Sequence, residues 1–401
     1  MTHPKTVRKR KVFYLPGYDP MPARHYREMY RREGVRQAGI SGYQIGVRAK
    51  QGAGYAWQVQ AEIGGAKTET TVEFLPWNDI VQSSMQVGIA ASYWLLLRTL
   101  WLYLHTGALW ALIRLRPAPM LAALYPVAAL LGQLLLAGAL AAATAGLVRL
   151  AVADWAAWPA ALLLGAVVFV IVLKRFRAAD HRFYAYYLLY DYAYSAWHAG
   201  AYPAPLRARL EDFKARIAAA LTEDNDEVLI VGHSSGAHLA VEVLAEMERE
   251  GMIAGETPLS LLSLGQVVPM VSYLPSAKGL RRNLHELGQS QRIFWVDVTA
   301  PGDGACFALC DPVAVSGVGT GPKVLSAAFS QTLLPETYAK QKRAFFKQHF
   351  QYLHAFDRPG IYDYFAITAG PQTLETRYKA QADSPSKRTK CTSKYTDMAD
   401  G

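Results

Sequence analysis

Ser234 sits between two glycines in the run Val231-Gly-His-Ser-Ser-Gly236. A serine held in a sharp turn, with glycine two residues to either side, can present its hydroxyl for attack on a carbonyl carbon. The turn brings backbone so close to backbone that bulk at the flanking positions would collide, and glycine removes it. Ser235 is the weaker candidate, because it breaks the glycine spacing. An attacking serine needs a base to take its proton and an acid to orient that base. Of the ten histidines, His233 and His238 belong to the turn and the segment after it, and His285 lies in the charged run Arg281-Arg-Asn-Leu-His-Glu286. Downstream, His349 and His354 remain, and His349 in Lys347-Gln-His-Phe-Gln-Tyr352 is the preferred base. The acid is expected in a loop just beyond a buried strand. Arg292 to Pro301 reads as such a strand and is followed by Gly302-Asp303-Gly304, which selects Asp303; Asp297, inside the strand, is the fallback.

These side chains need elements to carry them. Val228–Val231 is an apolar, β-branched run of the kind that forms a buried strand, and Ala237–Glu250 places Leu239, Val243, Leu244 and Met247 at helical spacing. Strand, turn and helix together form a nucleophile elbow, which sets the N–H of Ser235 at a helix N-terminus where it can hold an oxyanion. Lys11–Pro20 reads as a second buried strand running into Gly17-Tyr18, with a helix from Ala23 to Arg32. That turn offers the Tyr18 N–H as the second oxyanion donor. Residues 43–47, 55–63 and 68–74 alternate apolar and polar side chains around glycine turns and predict antiparallel strands. The tyrosine-dense run Phe183–Tyr194 predicts a packed amphipathic helix in preference to the lining of an acyl-binding site. Residues 380–401, rich in Ser, Lys, Thr and Asp without periodicity, predict a disordered tail.

The elbow Gly232-His-Ser-Ser-Gly236, the turn Leu15-Pro-Gly-Tyr18, the strand Leu261-Leu-Ser-Leu-Gly265 and the run Trp295–Asp303 resemble the α/β-hydrolase superfamily, in particular its lipases and esterases. The resemblance covers residues 11–33 and about 180–370, and only the elbow is specific. It implies an α/β fold, with a mostly parallel sheet flanked by helices, and the chain order Ser234, Asp303, His349 for the triad. Leu-Pro-Gly stands where lipases usually carry a His-Gly pair. Ester, thioester or amide hydrolysis is implied, though kinship at the level of fold does not fix a substrate.

The region that interrupts this pattern is the second strong signal. Residues 120–148 carry no charged side chain, which exceeds the ~20 residues that cross a bilayer. Residues 156–173 form a second apolar stretch, ended by Lys174-Arg-Phe-Arg177. Arg149–Trp155 between them suits the turn of a helical hairpin. Residues 87–113 mix Arg98 and His105 with Trp94, Trp101, Tyr103 and Trp110, which suits a helix lying in the membrane interface. Two spans return the chain to the side it left, so that residues 1–85 and 179–380 can build one catalytic domain around the insertion at 86–178. Arg114, Arg116, Lys174, Arg175, Arg177 and Arg182 flank the hairpin, against Arg149 alone in its turn. By the positive-inside rule the catalytic domain faces the cytoplasm of a multi-pass protein, with a bacterial inner membrane as the expected setting. The N-terminal basic run Arg8-Lys-Arg-Lys11 leads into a strand and not into an apolar signal core.

The net charge of +10 and the basic residues beside the spans suit anionic headgroups. A nucleic-acid partner is not expected, because no binding motif accompanies that charge. Cys306, Cys310 and Cys391 are odd in number and lack metal-ligand spacing, so reduced thiols are expected and neither a metal nor an organic cofactor is. There is no internal repeat, and nothing in the sequence sets the oligomeric state. The expected function is hydrolysis of a lipid-derived acyl ester or thioester, with the membrane and the substrate as partners. The alternative is an adaptor that keeps the fold for binding and has lost turnover. A transporter fragment is disfavoured by spans without intramembrane carboxylates or lysines.

Overall fold

The computed structural model describes residues 6–50, 55–152, 155, 157–253, 255–341 and 344–399. The expected turn at Gly52–Gly54 and part of the hairpin turn, at residues 153, 154 and 156, fall outside that set. The strands are β1 (Lys9–Leu15), β2 (Gln44–Ala49), β3 (Ala56–Ile63), β4 (Ala66–Phe74), β5 (Glu227–His233), β6 (Leu259–Leu264), β7 (Ile293–Thr299) and β8 (Lys323–Ser326). They form one sheet in the order β2-β3-β4-β1-β5-β6-β7-β8. Pairing is antiparallel from β2 to β4, as the alternating sequence predicts, and parallel from β4 across to β8. Every residue of β5 and β6 is buried, which explains their near-continuous apolar runs: parallel strands are covered on both faces.

The covering is a three-layer sandwich. Helices α1 (Ala23–Ser41), α2 (Asn78–Ser84), α3 (Ile89–His105), α4 (Ala108–Leu115), α5 (Pro117–Ala151) and α6 (Ala157–Ala178) precede β5, followed by α7 (Asp180–Phe183), α8 (Ala185–Ser195) and α9 (Ala204–Leu221). Beyond β5 lie α10 (Ser235–Arg249), α11 (Val268–Ser272) and α12 (Lys278–Gln289). Phe13, Val228, Ile230 and Leu261 face one layer with Leu239 and Val243 of α10 and Phe213 of α9. Val12, Leu229, Val231 and Leu262 face the other with Tyr26 and Tyr30 of α1 and Phe365. At one end of the sheet, Arg10 Nε donates to Glu227 Oε2 at 2.7 Å and both side chains are fully buried. Arg10 also donates to the carbonyls of Gly370 and Gln372, while Glu227 accepts from Ser260 and the Leu374 N–H. The buried ion pair is thus hydrogen-bonded on both sides, the condition under which such a pair is tolerated.

Helices α5 and α6 are long and apolar enough to cross a membrane. They run back along each other: a Cβ on Gly165 would stand 2.9 Å from the Ala141 carbonyl oxygen, and Arg149 lies 4.4 Å over the Trp158 ring. At 1.5 Å per residue the 35-residue α5 is ~52 Å long, well beyond a ~30 Å hydrocarbon layer. Its first turns therefore extend to the sheet domain, where Tyr125 donates to the Phe183 carbonyl and Leu130 accepts from Tyr93 of α3. The chain leaves the sheet after β4 and returns to it at β5, and both strands pair with β1. Helix α3 meets α2 at 103° and exposes Trp94 (69%), Leu97, Trp101 (67%) and Leu104 along one face, while Leu96 and Tyr103 are buried on the other.

Two expectations need correction. The segment 380–399 is docked against the domain instead of disordered. Cys310 and Arg388 form a parallel bridge, Arg388 donates to the Leu115 carbonyl, Thr392 to that of Ala111, and Asp397 pairs with buried Arg281. Its polar composition is satisfied by specific partners, which composition alone cannot reveal. The four-residue β8 was not expected, because Lys323-Val-Leu-Ser326 is too short to carry an alternation.

Candidate active site

The site lies at the carboxyl ends of β1, β5, β6 and β7, where open α/β sheets bind ligands. β5 delivers Ser234 in a backbone conformation of φ 57°, ψ −122°, far from the regions a residue with a Cβ ordinarily adopts. Neighbouring glycines over-determine that strain. A Cβ on Gly236 would lie 2.2 Å from the Leu15 carbonyl oxygen, and one on Gly232 would lie 2.7 Å from that of Gly236. The β1 turn packs equally close, since a Cβ on Gly17 would be 2.9 Å from the Ser234 Cβ. Gly17 and Tyr18 thus face Ser234, and Ser235 occupies the first helical position of α10, outside the intrahelical hydrogen-bond ladder.

β7 leads to Asp303, which is fully buried, and Phe345–His349 is a short helix that ends on His349. His349 Nδ1–H donates to Asp303 Oδ2 at 2.9 Å. Asp303 also accepts from the Tyr352 hydroxyl at 3.0 Å and from the Ala305 N–H at 2.9 Å. Burial alone would raise this carboxyl, but His349, the Ala305 N–H and the Cys306 thiol hold it below the usual carboxylate range. The same pairing acts on His349: burial opposes its cation, yet Asp303 and, more distantly, Asp191 leave it raised above its ordinary value. With Nδ1 committed to Asp303, the neutral ring keeps Nε2 free to accept a proton. Ser234 and His349 line one cavity, with Gly17, Tyr18 and Ser235 in its wall. Among the described residues no hydrogen bond yet joins Ser234 to His349.

The fallback residues are placed elsewhere. Asp297 lies inside β7, accepts from Ser263 at 2.5 Å, and is pushed up to about 8 by burial. His354 bonds the Phe350 carbonyl and approaches Glu33 instead of the cavity. His233 supports His349 from behind: its Nε2–H donates to the His349 carbonyl at 2.9 Å, and burial lowers it to about 3, so it stays neutral.

Other contributors escaped the sequence reading. Tyr187 of α8 donates at 2.6 Å to the Tyr18 carbonyl, fixing the loop that would offer an oxyanion donor. Asp191, one turn further on, lines the cavity, and burial pushes its carboxyl up to about 7 against the opposing pull of His349. The tyrosine-dense run is a helix as expected, but it forms a wall of the cavity as well as packing. Tyr352 orients Asp303, and Gly265 leaves room for all three side chains, since a Cβ there would stand 2.8 Å from the Tyr352 ring. Only the density of tyrosines near 183–194 could have signalled this.

No group of His, Cys, Asp and Glu among the described residues is arranged to hold a metal ion. Comparison of the chain with family models, with curated proteins and with solved structures returned no match.

Proposed function

We propose that this chain is a serine hydrolase of α/β-hydrolase type, anchored in a membrane, that cleaves an acyl ester or thioester of lipid origin. One observation carries the reading: strained Ser234 shares a cavity with His349, whose far nitrogen is bonded to buried Asp303. As Ser234 Oγ bonds to the acyl carbon, His349 Nε2 takes its proton and Asp303 stabilises the resulting cation. The N–H groups of Tyr18 and Ser235 receive the developing oxyanion. The bond to the alcohol or thiol then breaks, and that leaving group departs with the proton from His349. Water next attacks the acyl-enzyme, gives its proton to His349, and releases the acid as Ser234 is restored. The mechanism requires Ser234 and His349 to close to hydrogen-bond distance when substrate arrives, as such contacts commonly do.

Helices α5 and α6 support the anchoring. Because β1–β4 and β5–β8 share one sheet, an even number of spans keeps them on one side, which favours the hairpin as the membrane-crossing pair and α3, with its Trp and Leu face, as an interfacial helix. The basic residues at the sheet end of the hairpin favour a cytoplasmic catalytic domain. Hydrolysis of a short-chain p-nitrophenyl ester by the detergent-solubilised protein tests the reading. Turnover is expected in the wild type and is expected to fall to background in Ser234→Ala. Equal rates in the two proteins would refute it, and a folded wild type without turnover would favour an adaptor.

A further inference from the structure

Outside the Ser234 cavity, α3 and the turn that follows α8 border a groove of about 340 Å³, within the range of small-ligand sites. One wall carries Arg98, Trp101 and His105 of α3, and the other carries Trp197 and His198 of the turn. The groove shares no lining residue with the cavity at Ser234. The Arg98 guanidinium lies 4.9 Å over the Trp197 ring, and among the described residues its N–H groups donate to no partner. The His105 ring stacks on Trp101 with centroids 5.4 Å apart, and its Nδ1–H donates to the Trp101 carbonyl at 2.9 Å. Among the described residues the lining holds no carboxylate, so the charge of Arg98 is not balanced inside the groove. His198 and Ala199 both adopt left-handed backbone, at φ 49° and 55°, a strain of the kind retained where a turn must aim side chains at a ligand.

We propose that this groove binds the phosphate of an anionic lipid headgroup, with Arg98 as its main donor and His198 as the second. The proposal goes beyond the hydrolase reading and needs no turnover; it shares with that reading only the placement of α3 in the membrane interface. Two features select this occupant. An uncommitted guanidinium matches phosphate in charge and in the geometry of its paired N–H donors. Trp101 belongs both to the groove and to the exposed face of α3 formed by Trp94, Leu97, Trp101 and Leu104, so the phosphate site is continuous with the surface that would meet lipid. Tryptophan at a membrane interface sits at the level of the headgroups, which sets Arg98 beside them. A free anion would meet Arg98 alone, whereas a lipid would also cover the apolar flank.

The test measures binding of ether-linked phosphatidylglycerol and phosphatidylcholine, which have no acyl ester to cleave, to the detergent-solubilised full chain by native mass spectrometry. Wild type is expected to hold the anionic lipid about fivefold more tightly than the zwitterionic one. Arg98→Gln is expected to bring the two within twofold, whereas Arg114→Gln, which loses the same charge outside the groove, is expected to keep the wild-type preference. His198→Gly accepts the left-handed backbone and removes the imidazole. A lowered preference is expected there too, so misfolding of Arg98→Gln cannot by itself decide the outcome. A preference unchanged in Arg98→Gln, or lost equally in Arg114→Gln, would overturn the groove. Displacement of the lipid by millimolar inorganic phosphate would assign the site to a free anion and overturn the lipid as its occupant. Every arm is read without hydrolysis, so failure here leaves the reading of Ser234 intact.

Discussion

At the residue scale, the pairing of His349 with Asp303 sets the pH behaviour. In the proposed mechanism the base works in its neutral form, and the environment of His349 raises it above the ordinary histidine value of about 6.5. The kcat/KM profile is therefore expected to rise with pH through a midpoint above 6.5. Asp191 stabilises the His349 cation when ionised, so Asp191→Asn is expected to move that midpoint to lower pH. An unmoved midpoint would remove Asp191 from the electrostatics of the site. Asp303→Asn leaves the imidazole with the wrong tautomer, and a loss of about 10⁴ in kcat is expected, as in the serine-protease template. His354→Ala, with its ring directed toward Glu33, is expected to leave kcat within about twofold. The reach of sequence reasoning is clearest among these residues. Ser234 is legible because strand, turn and helix are contiguous around it, and Asp303 because its strand announces itself. Asp191, Tyr187 and Tyr352 are not, because they meet the site only through contacts across the fold, such as the 169 positions between Tyr187 and Tyr18.

At the scale of elements, the elbow depends on close backbone approach more than on any side chain. Gly236→Ala would drive a methyl group into the β1 turn, and a loss of more than about 2 kcal/mol is expected in thermal unfolding, with Ser234 no longer held in its strained conformation. Asp297 in β7 makes a different prediction. Its folded value of about 8 exceeds the unfolded one of about 4, so between those pH values the folded chain keeps a proton that the unfolded chain gives up. Stability thus falls as pH rises through that window. Asp297→Asn keeps the acceptor for Ser263 and removes the titration, so it is expected to raise the melting temperature at pH 8 more than at pH 5. An equal shift at both pH values would contradict a protonated Asp297. The strands β1, β5, β6 and β7 were legible from apolar runs, and the antiparallel strands from alternation. The docked C-terminal segment was not, because each of its anchors, such as Asp397 on Arg281, is a pairing with a residue far away in sequence.

At the scale of the whole molecule, the insertion serves the site as well as supplying two helices long and apolar enough to cross a membrane. The hairpin delivers α8 to the cavity wall, where Tyr187 grips the Tyr18 loop. Its apolar length was evident in the sequence; its service to the site was not, because hydropathy shows that a helix is apolar and not which neighbour it meets. Trp155, exposed at the turn of the hairpin, is expected to lie across the bilayer from Ser234. In a Cys391→Ser background, a Trp155→Cys protein in sealed inverted vesicles is expected to resist an impermeant maleimide until detergent is added. Prompt labelling would reverse the orientation or deny the span. The central claim is that Ser234 is an activated nucleophile, and the most direct measurement is reaction of the solubilised protein with a fluorophosphonate, read by intact mass and peptide mapping. A single adduct on Ser234, absent in Ser234→Ala and lost or greatly slowed in His349→Ala, is the expected result. A folded wild type that takes no adduct, or an adduct that persists in Ser234→Ala, would contradict it.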